Sequence, residues 1–120
     1  MIAKHLEFGQ QAEQQALSYL QSHGLKLVER NFRCKTGELD LVMREADTLV
    51  FVEVRYRQRN DFGHALETVT RSKQRKLLAT ANRYLQVKRL DTACRFDIIA
   101  LNGSGSAPIE WIKNAIQAAW

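Results

Sequence analysis

Residues 5–23 set Gly9, Ala12, Ala16, Leu17 and Leu20 three and four positions apart, the spacing of one helix face. Gly24 follows, where a left-handed residue ends a helix. Glu13 interrupts that stripe. It lies three, four and seven positions before Ala16, Leu17 and Leu20, so its side chain points with the apolar face. A carboxylate aimed at a core is unfavourable unless it is neutral, paired or bound to a metal; a boundary glutamate reaching back to solvent is the alternative.

The spacing then shortens to two. Residues 25–32 read as a short strand, and Gly37 opens Glu38-Leu39-Asp40-Leu41-Val42-Met43. In this run Leu39, Leu41 and Met43 are expected on one side and Glu38, Asp40 and Val42 on the other. After the polar turn Glu45-Ala46-Asp47, residues 48–57 are rich in β-branched and aromatic residues and complete a hairpin. Here Val50, Val52, Val54 and Tyr56 share one face, and Leu49, Phe51, Glu53 and Arg55 the other. Residues 58–67 form a polar loop. Thr70 is placed to N-cap a helix through about Val87, with Leu77, Leu78, Ala81, Tyr84 and Leu85 as its buried stripe and Arg75, Lys76 and Arg83 opposite. Residues 95–101 are a buried-strand run. The Gly/Ser stretch 102–106 is a turn, residues 109–113 a last strand, and 115–120 an apolar tail. The predicted order α-β-β-β-α-β-β is one α/β domain over residues 1–120 with a mixed sheet.

Composition narrows the classes. Apolar residues make up 45% and charged residues 26% of 120, with only 6 Gly and 1 Pro, which excludes collagen-like and low-complexity chains. No run approaches the ~18 apolar residues of a membrane span, and residues 1–7 hold no apolar signal segment. The expected setting is therefore cytoplasmic. Cys34 and Cys94 lack the spacing of a zinc site and are expected to be reduced thiols. Lys and Arg number 18 against 13 Asp and Glu, a formal charge of +5, which favours a polyanionic partner. Arg57, Arg59, Arg75, Lys76 and Arg83 are the side chains expected on nucleic-acid phosphates.

In a paired hairpin, Asp40 and Glu53 can sit side by side and share a hard cation such as magnesium, which prefers oxygen ligands. Arg55 lies two residues beyond Glu53 on the same face, a fixed positive charge suited to a phosphate. The other reading makes both acids solvent-facing residues of a half-exposed sheet.

With Gly37-Glu38-Leu39-Asp40-Leu41-Val42, residues 51–57, Lys73-Gln74 and Arg95-Phe96-Asp97 in view, the chain resembles the YraN-type family of bacterial proteins. That family is related to Holliday-junction resolvases and the PD-(D/E)XK nuclease superfamily. The resemblance spans about Gly9 to Ala115. It implies an αβββαβ, restriction-endonuclease-like core, with Asp40 and Glu53 as ligands of Mg2+ or Mn2+, the Val54 carbonyl as a third, and Glu13 as an accessory acid. It also implies a homodimer. The superfamily pattern has Lys where this chain has Arg55, and arginine cannot act as a base. Lys73 is the candidate substitute. The function expected is metal-dependent endonucleolytic cleavage of DNA, branched or damaged DNA included. The alternatives are a non-catalytic nucleic-acid-binding module with the same fold, and a scaffold that binds an acidic protein.

Overall fold

The computed structural model describes residues 2–57, 69–102 and 109–117, with the side chains of residues 2–8 and Arg57 outside that description. Helix α1 (Ile2–Ser22) is followed by strands β1 (Lys26–Cys34), β2 (Gly37–Glu45) and β3 (Thr48–Arg57). Helix α2 (Arg71–Lys88) and strands β4 (Cys94–Asn102) and β5 (Ile109–Ile116) complete the chain order. The strands lie side by side in the order β1-β2-β3-β4-β5. Only β3 and β4 run parallel, because α2 intervenes between them; the other neighbours are antiparallel. The α/β class, the mixed sheet and the αβββαβ order therefore stand as expected.

A helix covers each face of the sheet. Ala12, Ala16, Leu17 and Leu20 of α1 pack on Leu41, Met43, Val50, Val52, Ile99 and Leu101. On the other face Leu77, Ala81 and Tyr84 of α2 pack on Val42, Leu49, Phe51, Phe96 and Ile98. Each of the larger apolar side chains buried here contributes roughly 1.5–3 kcal/mol. The helix ends follow local chemistry. Gly24 takes φ 92° as Leu25 N–H closes back on the Leu20 carbonyl at 3.1 Å, and the Thr70 hydroxyl accepts from Lys73 N–H at 3.1 Å. In the α2 stripe Leu78 and Leu85 are only partly buried, and Thr80 takes a fully buried place.

The alternation in β2 breaks at Asp40. Residues two apart on a strand normally share a face, yet Leu39 joins the α2-side core and Leu41 the α1-side core. The expectation that Leu39 faces with Leu41 and Met43 fails for this reason. Strand β1 makes the same step. Phe32 packs on the α2 side against Tyr84, with ring centroids 5.0 Å apart, while Arg30 turns to α1 and donates to Gln14 Oε1 at 3.3 Å. The pairs Arg30↔Leu41 and Phe32↔Leu39 bracket Asn31 and Asp40, and Asn31 has φ 56°. One kink thus crosses both strands.

Strand β5 is longer than expected, because Ala115 and Ile116 belong to it and not to a tail. A register shift opposite Asp97 accommodates the extra length. Asp97 is fully buried. Its carboxylate accepts from Asn114 N–H at 2.8 Å, Trp111 Nε1 at 3.0 Å and Arg95 Nε at 3.0 Å. Arg95 also pairs with Glu45. Asp97→Asn should lower unfolding stability by about 1.5–3 kcal/mol, since hydrogen bonds to a charged acceptor are the stronger kind. Denaturant unfolding that matches wild type within about 0.5 kcal/mol, the ordinary surface scatter, would contradict this.

Candidate active site

The β2–β3 ladder runs from Glu45↔Thr48 to Leu41↔Val52 and stops at the kink. Beyond it, Val54 N–H donates to Asp40 Oδ2 at 2.9 Å in place of a ladder bond. A strand residue turns its N–H and C=O to the same edge, so the Val54 carbonyl faces this opening as well. Glu53, 6% exposed, enters from the adjacent position of β3. Two cations meet one oxygen of Glu53: Lys73 Nζ stands 3.3 Å from Oε2, and Arg55 Nη1 3.7 Å. Lys73 belongs to the first turn of α2, held there by the Thr70 cap.

These groups line a pocket of about 400 Å³ together with Lys76 and Thr80. Burial, and then the negative charge of Glu53, pushes the Asp40 carboxyl up to about 8, against the opposing pull of Val54 N–H. Glu38, which also lines this pocket, and Glu13 of α1 stand beside Asp40; donor oxygens of the three lie within 4.8 Å of one another. Burial and then Glu38 raise Glu13, while Arg30, 3.9 Å away, acts the other way. The oxygen-only donor set of Asp40, Glu53 and the Val54 carbonyl fits a hard divalent cation.

A family model described as "Uncharacterised protein family UPF0102" matches residues 12–101. A UPF0102 protein of Shewanella loihica is 50% identical over 113 residues, which cover 94% of this chain and 96% of its own length. One from Pseudomonas putida is 53% identical over 113 residues, covering 91% and 92%. The chain belongs to the UPF0102 family.

The UPF0102 match takes in Glu13 and every residue that lines the pocket, and it ends before β5. Of the residues expected at a site, the fold brings Glu13, Asp40, Glu53, Val54, Arg55 and Lys73 together. Lys76, expected on the helix face away from the core, lines the same pocket. Arg83 lines a neighbouring groove with Cys34, Lys35 and Asn82, and Arg75 is exposed on α2. Arg57 ends β3, and Arg59 lies outside the described residues. Sequence reasoning passed over Glu38, although period-two spacing already set it on Asp40's side. It also passed over Asn31, Lys35 and Thr80, which carry no local signal. Both cysteines are free and half-buried. Among the described residues, no helix is long and apolar enough to cross a membrane.

Proposed function

We propose that this UPF0102 protein is a metal-dependent endonuclease that hydrolyses DNA phosphodiesters, with branched or damaged DNA as the substrate class. The observation that carries the proposal is the convergence of Asp40, Glu53, Lys73 and Arg55 on one pocket beside the end of the β2–β3 ladder. Asp40, Glu53 and the Val54 carbonyl would hold Mg2+ or Mn2+. Such an ion lowers the pKa of a bound water and offsets charge building on the phosphate.

The chain's own cations then divide the work. Lys73, nearer to Glu53 than Arg55 is, orients the attacking water and can pass on a proton, the task the superfamily pattern gives to the lysine that Arg55 replaces. Arg55, fixed in charge, meets the non-bridging phosphate oxygens. Lys76 at the pocket, with Arg83, Lys35 and Arg75 beyond it, offers a cationic path for the sugar-phosphate backbone. Contacts of this kind position a strand and do not read its bases. A homodimer, as the resolvase resemblance implies, would present two such sites to paired strands.

The deciding experiment is incubation of duplex, single-stranded, flapped and four-way DNA with purified protein and magnesium or manganese. Metal-free and Glu53→Gln samples serve as controls. Product in the wild-type metal arms alone supports the nuclease; binding of every substrate with no product in any arm leaves the non-catalytic module. Salt gives an independent check. Changing Arg75, Lys76 and Arg83 together to Ala should reduce the slope of log affinity against log salt by ~0.9 for each duplex phosphate these side chains neutralise. Affinities that ignore salt, or vary chiefly with base sequence, would contradict phosphate recognition.

A further inference from the structure

Asn31 is exposed, so core packing does not require its side chain, yet its backbone takes the left-handed φ of 56° in the middle of β1. Non-glycine residues seldom adopt that conformation, and asparagine tolerates it better than most. The residue stands across the β1–β2 pair from Asp40, at the step where both strands change phase. Its amide is oriented by its neighbours: an oxygen turned to Glu13 and Glu38 would meet only acceptors, whereas the nitrogen donates to Glu13 Oε1 at 3.1 Å and Glu38 Oε1 at 2.9 Å. An amide nitrogen carries two hydrogens, one for each carboxylate. The two acids come from different elements, α1 and β2, and repel each other. Arg33 also meets Glu38 at 3.1 Å, but its side chain is 76% exposed, where an ion pair contributes little.

We infer that Asn31 is a positioning residue: its left-handed backbone and its two amide hydrogens together seat the Glu13 and Glu38 carboxylates beside Asp40. The inference rests on the metal-dependent reading above. Partners that orient the groups around a metal typically alter its affinity by roughly 10–100-fold, and the lower end applies to an exposed residue.

Asn31→Gly separates this role from a purely structural one, because glycine accepts the left-handed backbone and removes only the amide. The variant should melt near the wild-type temperature, as relief of the left-handed strain offsets the lost hydrogen bonds, and bind Mn2+ about 10-fold more weakly by isothermal titration calorimetry. Its cleavage at limiting Mn2+ should fall in step and recover when Mn2+ is raised by about the same factor. In a Glu13→Gln, Glu38→Gln background, Asn31→Gly should weaken Mn2+ binding no further, since the residue acts through those acids. Unchanged Mn2+ affinity in Asn31→Gly, or an equal weakening in the background without the acids, overturns the inference while wild-type binding and cleavage leave the nuclease reading intact. A wild-type protein that binds no Mn2+ overturns both.

Discussion

Glu53→Gln should reduce metal-dependent cleavage by on the order of 10³-fold or more, the scale of loss when one member of a group of catalytic residues that act as a unit is removed. Glu53 has two functions that an amide cannot perform: it offers a charged oxygen to the cation, and the same carboxylate holds Lys73 at 3.3 Å and Arg55 at 3.7 Å. The two cations should then separate by chemistry. Lys73→Arg keeps the charge but not the ability to release a proton, so it should lose nearly as much as Lys73→Ala, roughly 10²–10³ in kcat. Arg55→Lys should retain or raise cleavage, because lysine keeps the charge that faces the phosphate; Arg55→Ala should lose on the order of 10²-fold. Single-turnover cleavage at saturating magnesium is the measurement. Full activity in Lys73→Arg would remove the proton-transfer role from Lys73. Activity that persists undiminished in both Glu53→Gln and Arg55→Ala would not belong to this protein.

Asp40→Asn should make the metal-free protein more stable in alkaline solution, an unusual outcome for a change at a half-buried polar site. Burial first, then Glu53, moves the Asp40 carboxyl from an ordinary 3.8 up to about 8. The folded protein therefore keeps a proton that the unfolded chain releases near pH ~4. Stability is fully present below that point and declines as pH rises toward 8, where the folded form ionises too. A displacement of one pH unit is worth ~1.4 kcal/mol, which sets a ceiling of roughly 5–6 kcal/mol. Water entry and relaxation in an open pocket reduce the expected loss to ~3 kcal/mol, or ~10 °C in melting temperature. The amide that replaces the carboxyl cannot ionise, so the variant's melting temperature should stay flat between about pH 5 and 8 and exceed that of wild type at the upper end. Magnesium or manganese should restore the wild type there by binding the ionised pair, and should not stabilise Asp40→Asn to the same extent. Metal stabilisation that survives in the Asp40→Asn, Glu53→Gln double variant would exclude this pocket as the cation site.

Much of this architecture is legible in one dimension because it depends on short-range preferences. Helical spacing from Gly9 to Leu20 and the glycine at 24 locate α1; Thr70 locates the start of α2; strict alternation in residues 49–55 assigns each side chain of β3 to the face it occupies. Two acids of the site are legible for the same reason, since Glu13, beside Asp40, breaks an apolar stripe and Glu53 interrupts a hydrophobic strand. Tertiary structure decided the rest. Period-two reading carries one phase through β2, but Val54 N–H captures the Asp40 carboxylate and Asn31 turns left-handed across from it, so both strands reset together. The extent of β5 depends on Asp97, which gathers Trp111 and Asn114 across a distance in sequence that no local window spans. Lys73 reaches Glu53 only because α2 crosses the sheet between two parallel strands. Backbone propensity and side-chain period act over a few residues, whereas a carboxylate's hydrogen-bond and charge partners are chosen by packing, after distant segments have met.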